Sequence, residues 1–111
     1  MVYDEDIADR IRELIAGEAG VTEKKMFGGL AFLIGGNMAI AASGQGGILV
    51  RVDPAASDEL VAKSKAEVAV MRDRPMAGWL RVDADHLRQR RQLATWVERG
   101  TTYARSLPAK R

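Results

Sequence analysis

The sequence has no cysteine and a single histidine. The first absence excludes a disulfide framework, a thiolate zinc site and a cysteine nucleophile together, and it points to a reducing compartment. Aromatic residues are scarce, at 5%, which leaves few platforms on which nucleic-acid bases could stack. No apolar run approaches the ~20 residues that a membrane-spanning helix needs. The start, Met1-Val2-Tyr3-Asp4-Glu5-Asp6, is acidic and lacks the basic region of a secretory signal. A cytoplasmic location without membrane contact is therefore expected. Neither sign of charge is in large excess: 17 Lys and Arg stand against 15 Asp and Glu, a net +2. That balance is a weak attractor for nucleic acid.

What is present is a chain of 111 residues, 47% of them hydrophobic. This length suits one domain with one core. We read residues 1–111 as that domain, with 108–111 as a loose tail.

Ile7, Ile11, Leu14 and Ile15 recur at helical spacing, and Glu5, Asp9, Arg12 and Glu13 fill the other faces. An amphipathic helix over residues 4–17 follows, with Asp4 as N-cap and Gly17 as a left-handed terminator. Two apolar segments, Lys25 to Ile34 and Asn37 to Ala42, flank Gly35-Gly36 and predict a hairpin. Ser43 to Gly47 is a second turn, and Ile48 to Val52 a third strand. Asp53-Pro54 announces a helix that fades near Lys63-Ser64. Glu67 to Met71 and Gly78 to Val82 read as two more strands, joined by a loop from Arg72 to Ala77 that contains Pro75. The last helix is capped by Asp83 or Asp85 and buries a stripe of Leu93, Trp96, Val97, Gly100, Tyr103, Ala104 and Leu107. Gly100 inside it costs about 1 kcal/mol of helix propensity relative to alanine. The expected fold is α+β and two-layered: a five-stranded antiparallel sheet with helices on one face, in the order α-β-β-β-α-β-β-α.

The hairpin carries an oddity. With a two-residue Gly35-Gly36 turn, Leu33 faces Met38 and Ala31 faces Ile40, while Phe32 faces Ala39. A longer turn that includes Asn37 sorts large residues to one face and alanines to the other. In both registers these two strands lack charge on either face, yet helices cover one face alone. The second face is expected to be buried against something, most simply another copy of the chain.

Lys24-Lys25-Met26-Phe27-Gly28-Gly29, with Phe32 following and Met38 after the turn, resembles the opening signature of TfoX/Sxy amino-terminal domains. Arg74-Pro75-Met76 with Gly78, and the ending Trp96-Val97 to Tyr103-Ala104-Arg105-Ser106-Leu107-Pro108, resemble small stand-alone members of that family. The likeness spans essentially the whole chain. It implies helices packed on one face of an antiparallel sheet and a co-activator role beside the cyclic-AMP receptor protein at competence promoters. Full-length regulators of the family carry a second, helical domain, and this chain reads as a member without it. The resemblance implies no catalytic residues.

The residues themselves suggest no active site. His86 lies beside Asp83 and Asp85 with no nucleophile or second nitrogen ligand near it in sequence. The glycine pairs precede strands, whereas a phosphate cradle needs a glycine loop that opens a helix. We expect no cofactor, metal or catalytic residue, and a non-enzymatic regulatory module that acts through a protein partner, as a homodimer. Its expected surface is Ala31, Leu33, Met38 and Ile40, rimmed by Arg72, Arg74, Arg88 and Arg91. One alternative is direct nucleic-acid binding by a basic ridge formed by the last helix and the Arg72–Arg74 segment, with Lys24-Lys25 and Lys110-Arg111 as further basic patches. Another is an uncharacterised small enzyme.

Overall fold

The computed structural model describes residues 3–26 and 28–109. Its elements are α1 (Glu5–Ile15), β1 (Val21–Met26), β2 (Gly29–Ile34), β3 (Asn37–Ala42), β4 (Ile48–Arg51), α2 (Ser57–Lys63), β5 (Glu67–Met71), β6 (Arg74–Val82) and α3 (Arg90–Ser106). Short 3-10 turns at Pro54–Ala56 and Ala84–His86 lead into α2 and towards α3. The strands form one sheet in the order β1-β2-β3-β4-β6-β5, antiparallel throughout. No helix among the described residues is long and apolar enough to cross a membrane.

The α+β class with a single antiparallel sheet is as expected, but the sheet has six strands rather than five. The additional one is β1, Val-Thr-Glu-Lys-Lys-Met, whose four central residues are all exposed. It carries no apolar alternation to announce it, because an edge strand needs little burial. Glu23, Lys24 and Lys25 keep that edge from pairing with another chain. The segment read as one strand from Lys25 to Ile34 is broken after Met26, which pairs with Gly29 across a tight turn. Phe27 in that turn lies outside the described residues.

Helix α1 starts where its sequence says. The Asp4 carboxylate accepts from the amides of Asp6 (2.9 Å) and Ile7 (3.3 Å), and Ile7, Ile11 and Ile15 are buried. Gly17 is not left-handed; Gly20, at φ +75°, makes the turn into β1 instead. The Asp53 carboxylate caps the Pro54 turn through Ala55 N–H at 2.9 Å. Helix α3 begins later than Asp83 or Asp85 would place it. Its N-cap is Gln89, whose amide donates to Gln92 Oε1 at 2.8 Å.

The β2–β3 register combines the two expected ones. Ile34 pairs with Asn37 and Leu33 with Met38 about a two-residue turn, and then a bulge at Ala39 shifts the ladder so that Phe32 meets Ile40 and Ala31 meets Ala41. The bulge sends Leu30, Phe32, Ile40 and Ala42 to the helix side. There they join Ile11, Ile48, Val50, Leu80, Leu93 and Trp96 in the main core. Each of the larger side chains in it contributes about 1.5–3 kcal/mol by leaving water.

The face turned away from the helices is not flat. Met26 on β1 and Met71 on β5, strands at opposite edges of the sheet, pack on the same group of Ala31, Met38, Ala41, Leu49 and Ala69. They also line one cavity. The sheet therefore curls until its two edges approach each other over a concave, alanine-lined face.

Candidate interaction site

Of the four sheet residues expected on an interaction surface, Ala31 and Met38 lie on the concave face at 0% and 4% exposure. Ile40 lies on the opposite side, in the helix-facing core. The bulge at Ala39 separates it from the others. Leu33, half-buried on the concave face, is the one of the four that still reaches solvent. The curl covers within one chain what the strand pattern had left for a partner.

Arg72 and Arg74 come together with apolar neighbours. They sit at the β5–β6 turn and, with Met71 and Met76, line an open hollow of about 590 Å³. Val70 beside it is 64% exposed, the one large hydrophobic so placed among the described residues. The segment read as a loop is a two-residue turn of Arg72 (φ 51°) and Asp73 (φ 64°), both left-handed, which matches the twist of a tight hairpin. Pro75 belongs to β6 and pairs with Val70. It lies beyond the end of β4, whose last residue, Arg51, pairs with Trp79, so its missing amide hydrogen interrupts no ladder on that side. Among the described residues the hairpin tip thus lacks a partner strand on the β4 side, and its Val70 and Met71 line the cavity on the concave face. Neither arginine has a side-chain hydrogen bond or ion pair among the described residues.

Arg88 and Arg91 stand elsewhere. Strand β6 runs from Arg74 at the hairpin tip to Val82 at the far end of the sheet, and only from there does the chain reach Arg88 and α3. Arg88 pairs with Asp85 at 3.0 Å, and Arg91 Nε donates to Gln89 Oε1 at 2.9 Å. The two arginine pairs therefore belong to different elements, the β5–β6 turn and the start of α3, and no hydrogen bond or ion pair joins them among the described residues. Lys110 and Arg111 lie outside the described residues, while the tail before them is held by Asn37 Nδ2, which donates to Pro108 O at 2.9 Å.

His86 is half-buried in the 3-10 turn before α3, and no group of three or more His, Cys, Asp or Glu side chains among the described residues could hold a metal ion. A groove of about 630 Å³ runs between α2 and α3 past Leu60, Thr95, Glu98, Arg99 and Tyr103. The Thr95 hydroxyl there already donates to Arg91 O at 2.8 Å. The strongest electrostatic feature joins α1 to β1. Arg12 holds both oxygens of Glu23, each at 2.8 Å, and also Asp9. These hydrogen bonds push the Glu23 carboxyl below its usual range and raise the Arg12 guanidinium above its own. At Glu59 the hydrogen bond from Lys63 likewise lowers the carboxyl.

Sequence reasoning left three residues of the hairpin and the concave face unmarked. Val70 and Met76 were unmarked because the exposed edge of the hairpin depends on where β4 ends. Arg81 was assigned no role, although its place between Leu80 and Val82 sets it on the face opposite theirs.

The family model described as the TfoX N-terminal domain matches residues 13–104. No curated protein and no solved structure matches the chain.

Proposed function

The chain belongs to the TfoX N-terminal domain family, and from that premise we propose that it is a non-enzymatic regulatory module, acting in transcription through a protein partner bound at the β5–β6 hairpin. The observation that carries this reading is the hairpin tip itself. An exposed Val70 and the methionines 71 and 76 are flanked by two arginines that have no hydrogen-bond or ion-pair partner among the described residues. Apolar anchors rimmed by arginine are the composition that protein interfaces favour at their energetic centre. The methionines adapt to an irregular partner surface, and the arginines offer planar forks to its carboxylates. A competence or other gene-regulatory partner would be met in the cytoplasm, the location this reading assigns.

The test is capture with the tagged chain from lysate of its native host, with and without nuclease, beside a Val70→Glu variant. Such a partner is expected to be retained stoichiometrically after nuclease treatment and lost in the variant, whose substitution lies at an exposed position and leaves the core intact. Capture that disappears with nuclease in the native chain would replace the protein partner with nucleic acid.

A further inference from the structure

We propose that the concave face of the sheet is a binding site for a small monocarboxylate with a short apolar chain, held by Arg81. Arg81 stands on β6 between its cross-strand partners Leu49 on β4 and Glu67 on β5. Leu80 and Val82 on either side of it enter the helix-facing core, so Arg81 projects onto the alanine-lined side. There its Nε is withdrawn from solvent without a hydrogen-bond partner, the single buried side-chain donor or acceptor left so among the described residues. No carboxylate among those residues forms an ion pair with its guanidinium, even though Glu67 is its neighbour across the ladder.

A buried donor without an acceptor is a rare feature of native structures and asks for an explanation. Here the explanation adjoins it. Arg81 lines a cavity of about 70 Å³ together with Met26, Gly29, Ser43, Gln45, Leu49 and Met71. The Nε–H and the neighbouring Nη–H form one edge of the guanidinium, and that edge matches the two oxygens of a carboxylate. Ser43 Oγ already accepts from Gln45 N–H at 3.1 Å, so its own hydrogen can turn to a ligand. The apolar part of a ligand would lie on Ala41, Leu49 and Ala69, which also line the cavity. Met26, Met71 and Gln45 are unbranched, and their rotation opens the way to Nε.

The charge of the face points the same way. Lys24 pairs with Ala31, so the strand register sets its side chain on the face that Arg81 occupies. Among the paired strand residues of this face Glu67 is the acid nearest Arg81. A single guanidinium edge in a small apolar cavity suits a planar monoanion. A phosphate dianion would demand more donors than the cavity lining supplies. The cavity shares Val70 and Met71 with the β5–β6 hairpin, but the group that would hold the ligand, Arg81, lies outside the hairpin tip, and the test reads Arg81.

The test is a titration of ¹⁵N-labelled protein with sodium butyrate, following the Arg81 Nε–H resonance against sodium chloride at matched ionic strength. A saturable shift is expected with butyrate, and none with butyramide or inorganic phosphate. Arg81→Lys keeps the charge but loses the fork, and the backbone amides of Gly29 and Ser43 should report binding weakened about tenfold while the rest of the spectrum keeps its dispersion. A shift that never saturates, one that phosphate or butyramide reproduces, or butyrate binding unchanged in Arg81→Lys would each overturn the assignment.

Discussion

Gly100 shows how a residue's value can reverse between an isolated helix and a packed one. It lies inside α3, where propensity favours alanine, yet a methyl group there would overlap the Ala39 carbonyl oxygen and meet Val50 Cγ2 at 3.0 Å. The helix approaches the sheet at the bulge, and the backbone it meets cannot move aside as a flexible side chain would. Gly100→Ala is therefore expected to lower stability by about 1–2 kcal/mol, overpacking outweighing the ~1 kcal/mol gain in propensity. Urea denaturation would read this as a lower midpoint, and a raised midpoint would show that α3 can lift from β3. Glu23 belongs to the same scale. Its carboxyl is lowered in the folded chain by the Arg12 hydrogen bonds, so the stability it contributes is complete above the ordinary carboxylate range. That contribution is lost as pH falls through this range towards the lowered folded value. The pair is partly exposed, at 43% and 38%, and about 0.5 kcal/mol is the expected size. Glu23→Gln should flatten this part of the acid limb of stability against pH; an unchanged limb would mean the bridge holds nothing in solution.

At the scale of elements, the β5–β6 hairpin is the least ordinary piece. Two consecutive non-glycine residues at positive φ close it, in a turn type that prefers Asn-Gly or Asp-Gly. Asp73→Gly keeps Arg72 and Arg74 in place and should stabilise the fold by about 0.5–1 kcal/mol by removing the left-handed strain. Thermal unfolding would check it, and a lower midpoint would mean that the Asp73 side chain holds the turn. Strand β1 illustrates the opposite situation, an element that sequence patterning could not show. Its six residues alternate nothing apolar over the exposed middle, and it is a strand because β2 offers it a ladder. Helix α1 and the 3-10 turn that leads into α2 were legible because their caps act locally: Asp4 and Asp53 each reach an amide two residues ahead. The start of α3 was not, since two aspartates of the right chemistry precede the glutamine that in fact begins it.

For the whole molecule, the curl of the sheet decides what surface exists. The uncharged strands β2 and β3 suggested an apolar face awaiting a second copy. In the folded chain Ala31, Ala41 and Ala69 lie beneath Met26 and Met71 from the two edges. With that face covered, light scattering at tens of micromolar is expected to give the mass of one chain; twice that mass would place a second copy on a surface other than the alanine-lined one. The candidate sites changed accordingly. Arg72 and Arg74 are exposed at the β5–β6 turn, Ile40 moved to the core, and Arg88 and Arg91 pair with Asp85 and Gln89 around the start of α3.

Periodicity, capping chemistry and turn glycines act over a few residues, so the class of fold, the three helices and the strands other than β1 could be read from the chain as written. The family likeness was legible too, because its signature residues are contiguous. Strand count, the bulge at Ala39, the approach of α3 that requires Gly100, and the isolation of Arg81 Nε depend on which distant segments meet. Each is settled by long-range pairing and by the twist and curl of the sheet, and no local pattern of residues encodes that.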